Sequence, residues 1–199
     1  MSEDGRGGGD AGPPREVVLE IRSAAAMADL GRRLGRLARG GDLLVLSGDL
    51  GAGKTTLVQG LGEGLGVRGP ITSPTFVIAR THPSLVGGPA LVHVDAYRLQ
   101  GALELDDLDL DADAGTSVVV VEWGRGLVEQ LAGDRLEVDL HRDDAPGSLV
   151  VPDPPAAAPL PAGPPVPDGA GEVDEHRTAV VRAVGERWAD VGALLGPGG

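Results

Sequence analysis

A glycine-rich stretch between an apolar run and a helical pattern constrains the fold of this chain more than any other feature. The stretch reads GDLGAGKTTL over residues 48–57 and follows DLLVLSG, a run without a polar face that is typical of a central strand covered on both sides. Residues 54–65 then predict a helix. The letters follow the pattern Gly-x4-Gly-Lys-Thr in its strand–helix context, which predicts a P-loop.

A P-loop predicts a bound nucleoside triphosphate. Its glycines let successive backbone N–H groups turn inward around phosphate oxygens. Lys54 can then reach the β- and γ-phosphates, and Thr55 offers its hydroxyl to Mg²⁺. The residues expected to bind the nucleotide are Gly48, Asp49, Leu50, Gly51, Ala52, Gly53, Lys54, Thr55 and Thr56.

Strand patterns alternate with helical patterns along the rest of this region. Residues 15–22 alternate apolar and charged side chains, and Ser23 can cap a helix that follows. A further strand is expected near residues 76–80, and RLEVDLHR at 135–142 could pair with the later SLVV as a hairpin. The pattern predicts an α/β fold of the P-loop NTPase type. We expect a mostly parallel sheet flanked by helices, with an antiparallel element near the C-terminal end of the domain.

Composition divides the chain into four parts. Residues 1–14 are glycine-rich and expected to be disordered, and residues 15–151 form the predicted P-loop ATPase domain. Residues 152–171 are proline-rich and predict a stiff linker. Residues 172–199 are expected to form an accessory amphipathic helix, since five apolar residues share one helical face: Val180, Val184, Trp188, Val191 and Leu195.

The charge and cysteine content exclude several functions. The chain has 17 basic and 30 acidic residues, a net charge of −13, which disfavours strong direct binding of a nucleic-acid phosphate backbone. It has no cysteine, which excludes thiol catalysis and thiolate metal sites. No signal peptide or membrane span is visible in the sequence, so we expect a soluble cytoplasmic protein without a membrane partner.

Two carboxylates are candidates for the chemistry that follows nucleotide binding. Asp95 ends the apolar strand in ALVHVDAYRL, and Glu122 ends the strand in SVVVVEWGR. Ligands of open α/β sheets bind at the carboxyl ends of the strands, where both acids are predicted to lie. Thr75, in the intervening TSPTF, could close over the γ-phosphate as switch segments do, although Ser-Pro-Thr is also an ordinary turn sequence.

Four motifs together resemble one known family. GDLGAGKTTL, SPTF, HVDAYRL and VVVVEWGR, in this order and at these intervals, resemble the TsaE family, also called YjeE. The resemblance covers roughly residues 17–142. It implies a P-loop ATPase that uses ATP and Mg²⁺ in bacterial threonylcarbamoyladenosine modification of tRNA. The implied partners are TsaB-type and TsaD-type proteins, which install threonylcarbamoyl on adenosine 37 of tRNAs that read codons beginning with adenine.

The resemblance also implies roles for individual residues. It assigns Thr55 and Glu122 to Mg²⁺ and makes Asp95 the acid that orients water or supports the metal, although the two acids could exchange roles. The candidate catalytic residues are then Lys54, Asp95, Glu122 and Thr75, and the candidate metal ligands are Thr55, Glu122 and Asp95. Ser73 falls on the switch-like segment. Trp123 follows the metal glutamate, and its role is either direct or simply that of an apolar cover.

The sequence leaves the roles of two arginines undecided, and it is compatible with two other functions. Arg98 and Arg125 could contact phosphates or partners, or form ordinary surface ion pairs. A P-loop small-molecule kinase would use the same loop but needs a lid with cationic side chains, and Arg98 is the only basic residue between Asp95 and Glu122. A nucleotide-dependent interaction switch, in which slow hydrolysis resets a binding state, is the other alternative.

Overall fold

The described residues form one sheet of seven strands with helices. The computed structural model describes residues 15–74, 78–98, 115–142 and 176–195. None of the helices in these ranges combines the length and apolar composition needed to cross a bilayer. The elements are β1 (Arg15–Ile21), α1 (Ala24–Leu37), β2 (Leu43–Gly48), α2 (Lys54–Leu65), β3 (Ala79–His82), β4 (Ala90–Asp95), β5 (Ser117–Glu122), β6 (Arg135–Arg142), β7 (Arg177–Val184) and α3 (Val191–Leu195), with 3-10 turns at Ala96–Arg98, Glu129–Leu131 and Glu186–Trp188.

The sheet has a parallel centre and antiparallel edges. Its strand order is β1-β7-β6-β2-β5-β4-β3. Strands β6, β2, β5 and β4 are mutually parallel, whereas β7 and β1 on one side and β3 on the other pair antiparallel. The predicted α/β fold class is therefore confirmed. The antiparallel strands are more extensive than the single element expected near the C-terminal end.

The alternation of side chains along β2 divides the core into two layers. Leu44 and Leu46 face α1 and α2 and belong to the larger apolar cluster. Leu43 and Val45 point to the opposite face, where the residues after β5, including Val128, cover them. Because both faces of β2 are buried, its sequence carries no polar alternation, as expected for the central strand of a parallel sheet.

Helix α1 begins where the sequence indicates, and helix α2 both begins and ends there. The Ser23 hydroxyl oxygen accepts a hydrogen bond from the Ala26 N–H at 3.1 Å and caps α1. Helix α2 begins at Lys54, directly after the P-loop, and ends before Gly66, whose φ of +68° suits a glycine C-cap.

Glycines bring α1 and α2 into close backbone contact. A Cβ added to Gly31 would lie 2.2 Å from the Leu57 carbonyl oxygen, and one added to Gly60 would lie 2.0 Å from the Ala28 carbonyl oxygen. Gly35 and Gly64 are similarly restricted, one turn further along each helix. The two helices can approach this closely only because these four positions lack side chains. This packing fixes α2, and with it the P-loop, against the rest of the domain.

The C-terminal segment differs from its prediction as an accessory helix. Residues Arg177–Val184 form β7, which pairs with β1 and β6 inside the sheet. In a strand, the side chains of Ala179, Val181 and Ala183 share one face, and all three are buried. The stretch RTAVVRAV is compatible with both a helical and a strand period, and it forms a strand because it pairs with β1 and β6. Three predictions fall outside the described residues: the SLVV hairpin strand, the stiff linker over 152–171 and the disorder of residues 1–14.

Side chains beyond β7 complete the core. Trp188, Val191 and Leu195 are buried in the same cluster as α1 and α2. The Arg187 guanidinium donates hydrogen bonds to the buried carboxylate of Asp42 at 2.8 Å and to the Leu37 carbonyl at 2.7 Å. The segment is therefore an integral part of the domain.

Gly60→Ala should destabilise the domain. The added methyl group would meet the Ala28 backbone, and such overpacking typically costs about 1–3 kcal/mol, more than the roughly 1 kcal/mol gained in helix propensity. We expect the melting temperature, measured by circular dichroism, to fall by several degrees. The control is Gly133→Ala, whose new Cβ would have no neighbour within 4 Å. Equal melting temperatures for the two variants would contradict the close helix packing.

Truncation after Val151 should abolish cooperative folding. The truncated chain would lack β7, which separates β1 from β6, and would also lack the buried Trp188. As a control, a chain lacking only residues 196–199 keeps every C-terminal element described and should melt as the full chain does. If the chain that ends at Val151 shows a sharp thermal transition at the melting temperature of the full chain, the placement of β7 is wrong.

Candidate nucleotide-binding site

The P-loop lies at the carboxyl edge of the parallel strands. Strand β2 ends at Gly48, which is paired with Leu140 of β6, and a Cβ at Gly48 would lie 2.3 Å from the Leu140 carbonyl oxygen. The φ angles of Gly48, Gly51 and Gly53 are +134°, +79° and +105°. Side-chain-bearing residues rarely adopt these angles, so the three glycines are required by the shape of the loop. Within the loop, Ala52 is fully buried and Leu50 is 74% exposed.

The Lys54 ammonium group lies inside the loop. It donates hydrogen bonds to the Gly48 carbonyl at 2.6 Å and the Asp49 carbonyl at 3.0 Å, and Lys54 is only 5% exposed. Burial lowers its pKa, a shift opposed by the negative charges of Glu122, Asp95 and Asp49. A desolvated cation of this kind is stabilised by an anion placed next to it. The next residues along α2 are Thr55, whose hydroxyl faces β5, and Thr56, which is half-buried.

Trp123 covers Lys54 from the end of β5. The Lys54 nitrogen lies 3.7 Å from the Trp123 ring centroid, a cation–π contact, and the Tyr97 ring lies 5.2 Å from the same indole. Trp123 has a φ of +63°, an unfavourable angle for a bulky residue, and its backbone N–H donates to the Leu46 carbonyl at 2.8 Å. The aromatic side chain is thus in direct contact with the predicted phosphate-binding lysine.

Glu122 connects the P-loop helix to the centre of the sheet. The Thr55 hydroxyl donates to the Glu122 carboxylate at 3.1 Å, and His93 Nε2 lies 2.8 Å from the same Oε1 atom. Both Glu122 and His93 are buried. Sequence reasoning overlooked His93. The signal available for it was a polar residue within the otherwise apolar run ALVHVD.

Asp95 lies beside Glu122 and makes different contacts. The two acids are paired in register between β4 and β5. Asp95 accepts hydrogen bonds from the Ser73 hydroxyl and the Tyr97 N–H, both at 3.0 Å. The structure therefore brings together the two predicted acids and the start of the TSPTF segment. Thr75 lies outside the described residues.

Arg125, one of the two arginines whose role the sequence leaves undecided, forms an ion pair. Its guanidinium donates to the buried carboxylate of Asp139, which also accepts a hydrogen bond from Arg182 at 2.9 Å. Arg182 in turn pairs with Glu16 of β1 at 2.8 Å. This network joins the loop after β5 to β6, β7 and β1, which favours the ion-pair interpretation of Arg125. The side chain of Arg98 lies outside the described part of the chain.

The oxygen atoms around Thr55 suit a hard cation in combination with phosphate. In the described ranges, no group of three or more His, Asp or Glu side chains could hold a metal ion without other ligands. A hydroxyl and a carboxylate in contact are instead the ligands Mg²⁺ uses when substrate phosphates supply others. The local residues thus fit a magnesium–nucleotide complex better than a metal held by protein alone.

Comparisons with known proteins identify several relatives of this chain. YdiB from Bacillus subtilis has a solved structure that matches 92% of this chain and 95% of its own, with a TM-score of 0.63 and 27% identity. A protein from Streptomyces coelicolor named tRNA threonylcarbamoyladenosine biosynthesis protein TsaE is 55% identical over 85% of this chain and its own full length. A Bacillus subtilis protein of the same name is 43% identical over 53% of this chain and 65% of its own.

A family model extends the similarity across the site. The model for "Threonylcarbamoyl adenosine biosynthesis protein TsaE" matches residues 21–148, which include the P-loop and the strands that end in Asp95 and Glu122. The match spans more than half of the chain. This chain therefore belongs to the TsaE family.

Proposed function

We propose that this protein is the ATP-binding and ATP-hydrolysing subunit needed to form the threonylcarbamoyl group on adenosine 37 of tRNAs that read codons beginning with adenine. It acts in the cytoplasm with two partner proteins of the TsaB and TsaD types. The observation that carries the proposal is the contact between the Thr55 hydroxyl and the Glu122 carboxylate at the mouth of a P-loop. Both the family membership and the names of the relatives support the tRNA modification role.

The loop and Lys54 would bind the triphosphate. Backbone N–H groups of the segment from Gly51 to Thr56 would supply donors to the phosphate oxygens, reinforced by the N-terminus of α2. Lys54 now donates to two loop carbonyls, and phosphate oxygens would replace these neutral acceptors with charged ones. The buried ammonium therefore gains more from a bound anion than an exposed lysine would.

Thr55 and Glu122 would hold the Mg²⁺ that accompanies the nucleotide. When bound, the ion would neutralise charge that accumulates on the phosphate oxygens during transfer to water. Glu122 is the better direct ligand because it contacts Thr55, whereas Asp95 contacts Ser73. His93, buried against Glu122, would keep that carboxylate turned toward the loop.

Asp95 would orient the attacking water. It lies next to Glu122 in the sheet, and its Ser73 contact connects it to the segment in which Thr75 is proposed to respond to the γ-phosphate. A carboxylate at this position can accept a hydrogen bond from water and direct a lone pair toward phosphorus. Closure of the segment over the nucleotide would complete this arrangement.

The acidic net charge favours a role beside the RNA-binding partners. A protein with a charge of −13 has few cations with which to displace counterions from tRNA, so partner subunits would hold the RNA. ATP hydrolysis in this subunit would then act on the assembly and not on the tRNA directly.

Substitutions at Lys54 and Glu122 should separate binding from turnover. Lys54→Ala should weaken ATP binding, measured by calorimetry, whereas Glu122→Gln should keep most of the binding and lose turnover by roughly 10²-fold or more. The control is Glu137→Gln on β6, which removes a carboxylate paired with Arg135. Turnover of Glu122→Gln equal to that of the control would contradict the assignment.

Partner proteins should strongly stimulate hydrolysis. Arg125, one candidate for neutralising γ-phosphate charge, is engaged with Asp139, and groups supplied by a second protein accelerate hydrolysis in other P-loop enzymes by roughly 10³ to 10⁵. We expect slow phosphate release from the chain alone and faster release after both partners are added. Thr75→Ala should reduce the stimulation. Fast multiple-turnover hydrolysis without partners would contradict this prediction.

A further inference from the structure

The positions of Glu122 and Asp95 indicate which way the bound nucleotide is oriented along the edge of the sheet. This inference rests on the proposed function. Glu122 and Asp95 lie on β5 and β4, on one side of β2, and they mark the end of the site where the γ-phosphate would lie. The remaining part of the ligand must extend across β2 to the other side, above β6 and β7. The residues at that edge are therefore the ones able to contact the nucleoside.

Two arginines occupy this opposite edge. Arg142 is the last residue of β6 and Arg177 the first residue of β7, and they pair directly across the two strands. The Arg177 guanidinium donates to the Gly51 carbonyl at 3.4 Å, and a Cβ on Gly51 would lie 3.4 Å from Arg142 Nη1. Both guanidinium groups thus approach the outer side of the P-loop tip. This arrangement depends on β7, which lies beyond the region matched by the family model.

The two arginines differ in what they can reach. Arg177 is only 8% exposed and lies against the loop backbone, whereas Arg142 is exposed. Arg142 is two residues beyond Leu140, the partner of Gly48, so it extends roughly 7 Å past the base of the loop. Like charges placed opposite each other on neighbouring strands repel, which makes an additional interaction at Arg142 favourable. Guanidinium groups stack well on aromatic rings, and adenine presents such a ring.

We propose that Arg142 binds the adenosine end of the nucleotide, stacking its guanidinium against the adenine ring, on a platform that Arg177 ties to the P-loop through Gly51. The phosphates lie inside the loop, where the backbone N–H groups and Lys54 bind them. Arg142 lies outside the loop and contributes to recognition of the nucleoside. In this arrangement, residues of two different strands contact the two ends of ATP: β5 contributes at the γ-phosphate and β6 at the base.

A comparison of ATP with inorganic tripolyphosphate tests this assignment. Both ligands carry three phosphates, but only ATP has an adenosine. Arg142→Ala in the full chain should weaken ATP binding by roughly tenfold and leave tripolyphosphate binding unchanged, both measured by calorimetry with Mg²⁺. The control is Arg36→Ala, which removes the same charge from an exposed position at the end of α1 and should change neither affinity.

Other outcomes would overturn the inference. Equal weakening of both ligands would show that Arg142 acts on phosphate, and unchanged ATP affinity would show that it makes no contact. A wild-type chain that binds tripolyphosphate as tightly as ATP would show that the adenosine is not recognised. A wild-type chain that binds neither ligand would instead refute the proposed function itself. Arg142 is exposed, so the variant should melt at the wild-type temperature.

Discussion

The parallel pairing of β2 with β5 is the constraint on which the candidate site depends. It aligns Leu46 with Glu122, so the strand that enters the P-loop and the strand that carries the glutamate end at the same edge. Thr55, at the start of the next helix, then meets the Glu122 carboxylate without any long side chain to bridge the gap. The pairing of β4 with β5 adds Asp95 at the same level. Strand register and the packing of α2 thus bring three separate stretches of sequence to one site.

The central strands and the P-loop could be predicted because several local signals agree. The apolar run in β2, the glycines that require positive φ, and the helix beginning at Lys54 each indicate the same strand–loop–helix unit. Asp95 and Glu122 were recognisable because each is an acid that ends an apolar strand. These features are determined by residues close together in the sequence, so the local sequence pattern is enough to predict them.

Other parts of the structure depend on contacts between distant segments. The period of residues 177–184 is compatible with a helix, and only their pairing with β1 and β6, far away in sequence, makes them a strand. His93 resembles an ordinary core residue until β5 places Glu122 beside it. Arg177 likewise acquires its contact with Gly51 only when β7 joins the sheet. Sequence periodicity does not contain this information.

In the proposed function, the P-loop and Glu122 together hold a magnesium-bound triphosphate. The most direct measurement is a calorimetric titration of the wild-type chain with ATP, performed once with Mg²⁺ and once with excess EDTA. We expect saturable binding at one site per chain that weakens when Mg²⁺ is removed, because Thr55 and Glu122 would lose the cation that they bind together. Absence of binding in both conditions, or an affinity that does not respond to Mg²⁺, would contradict it.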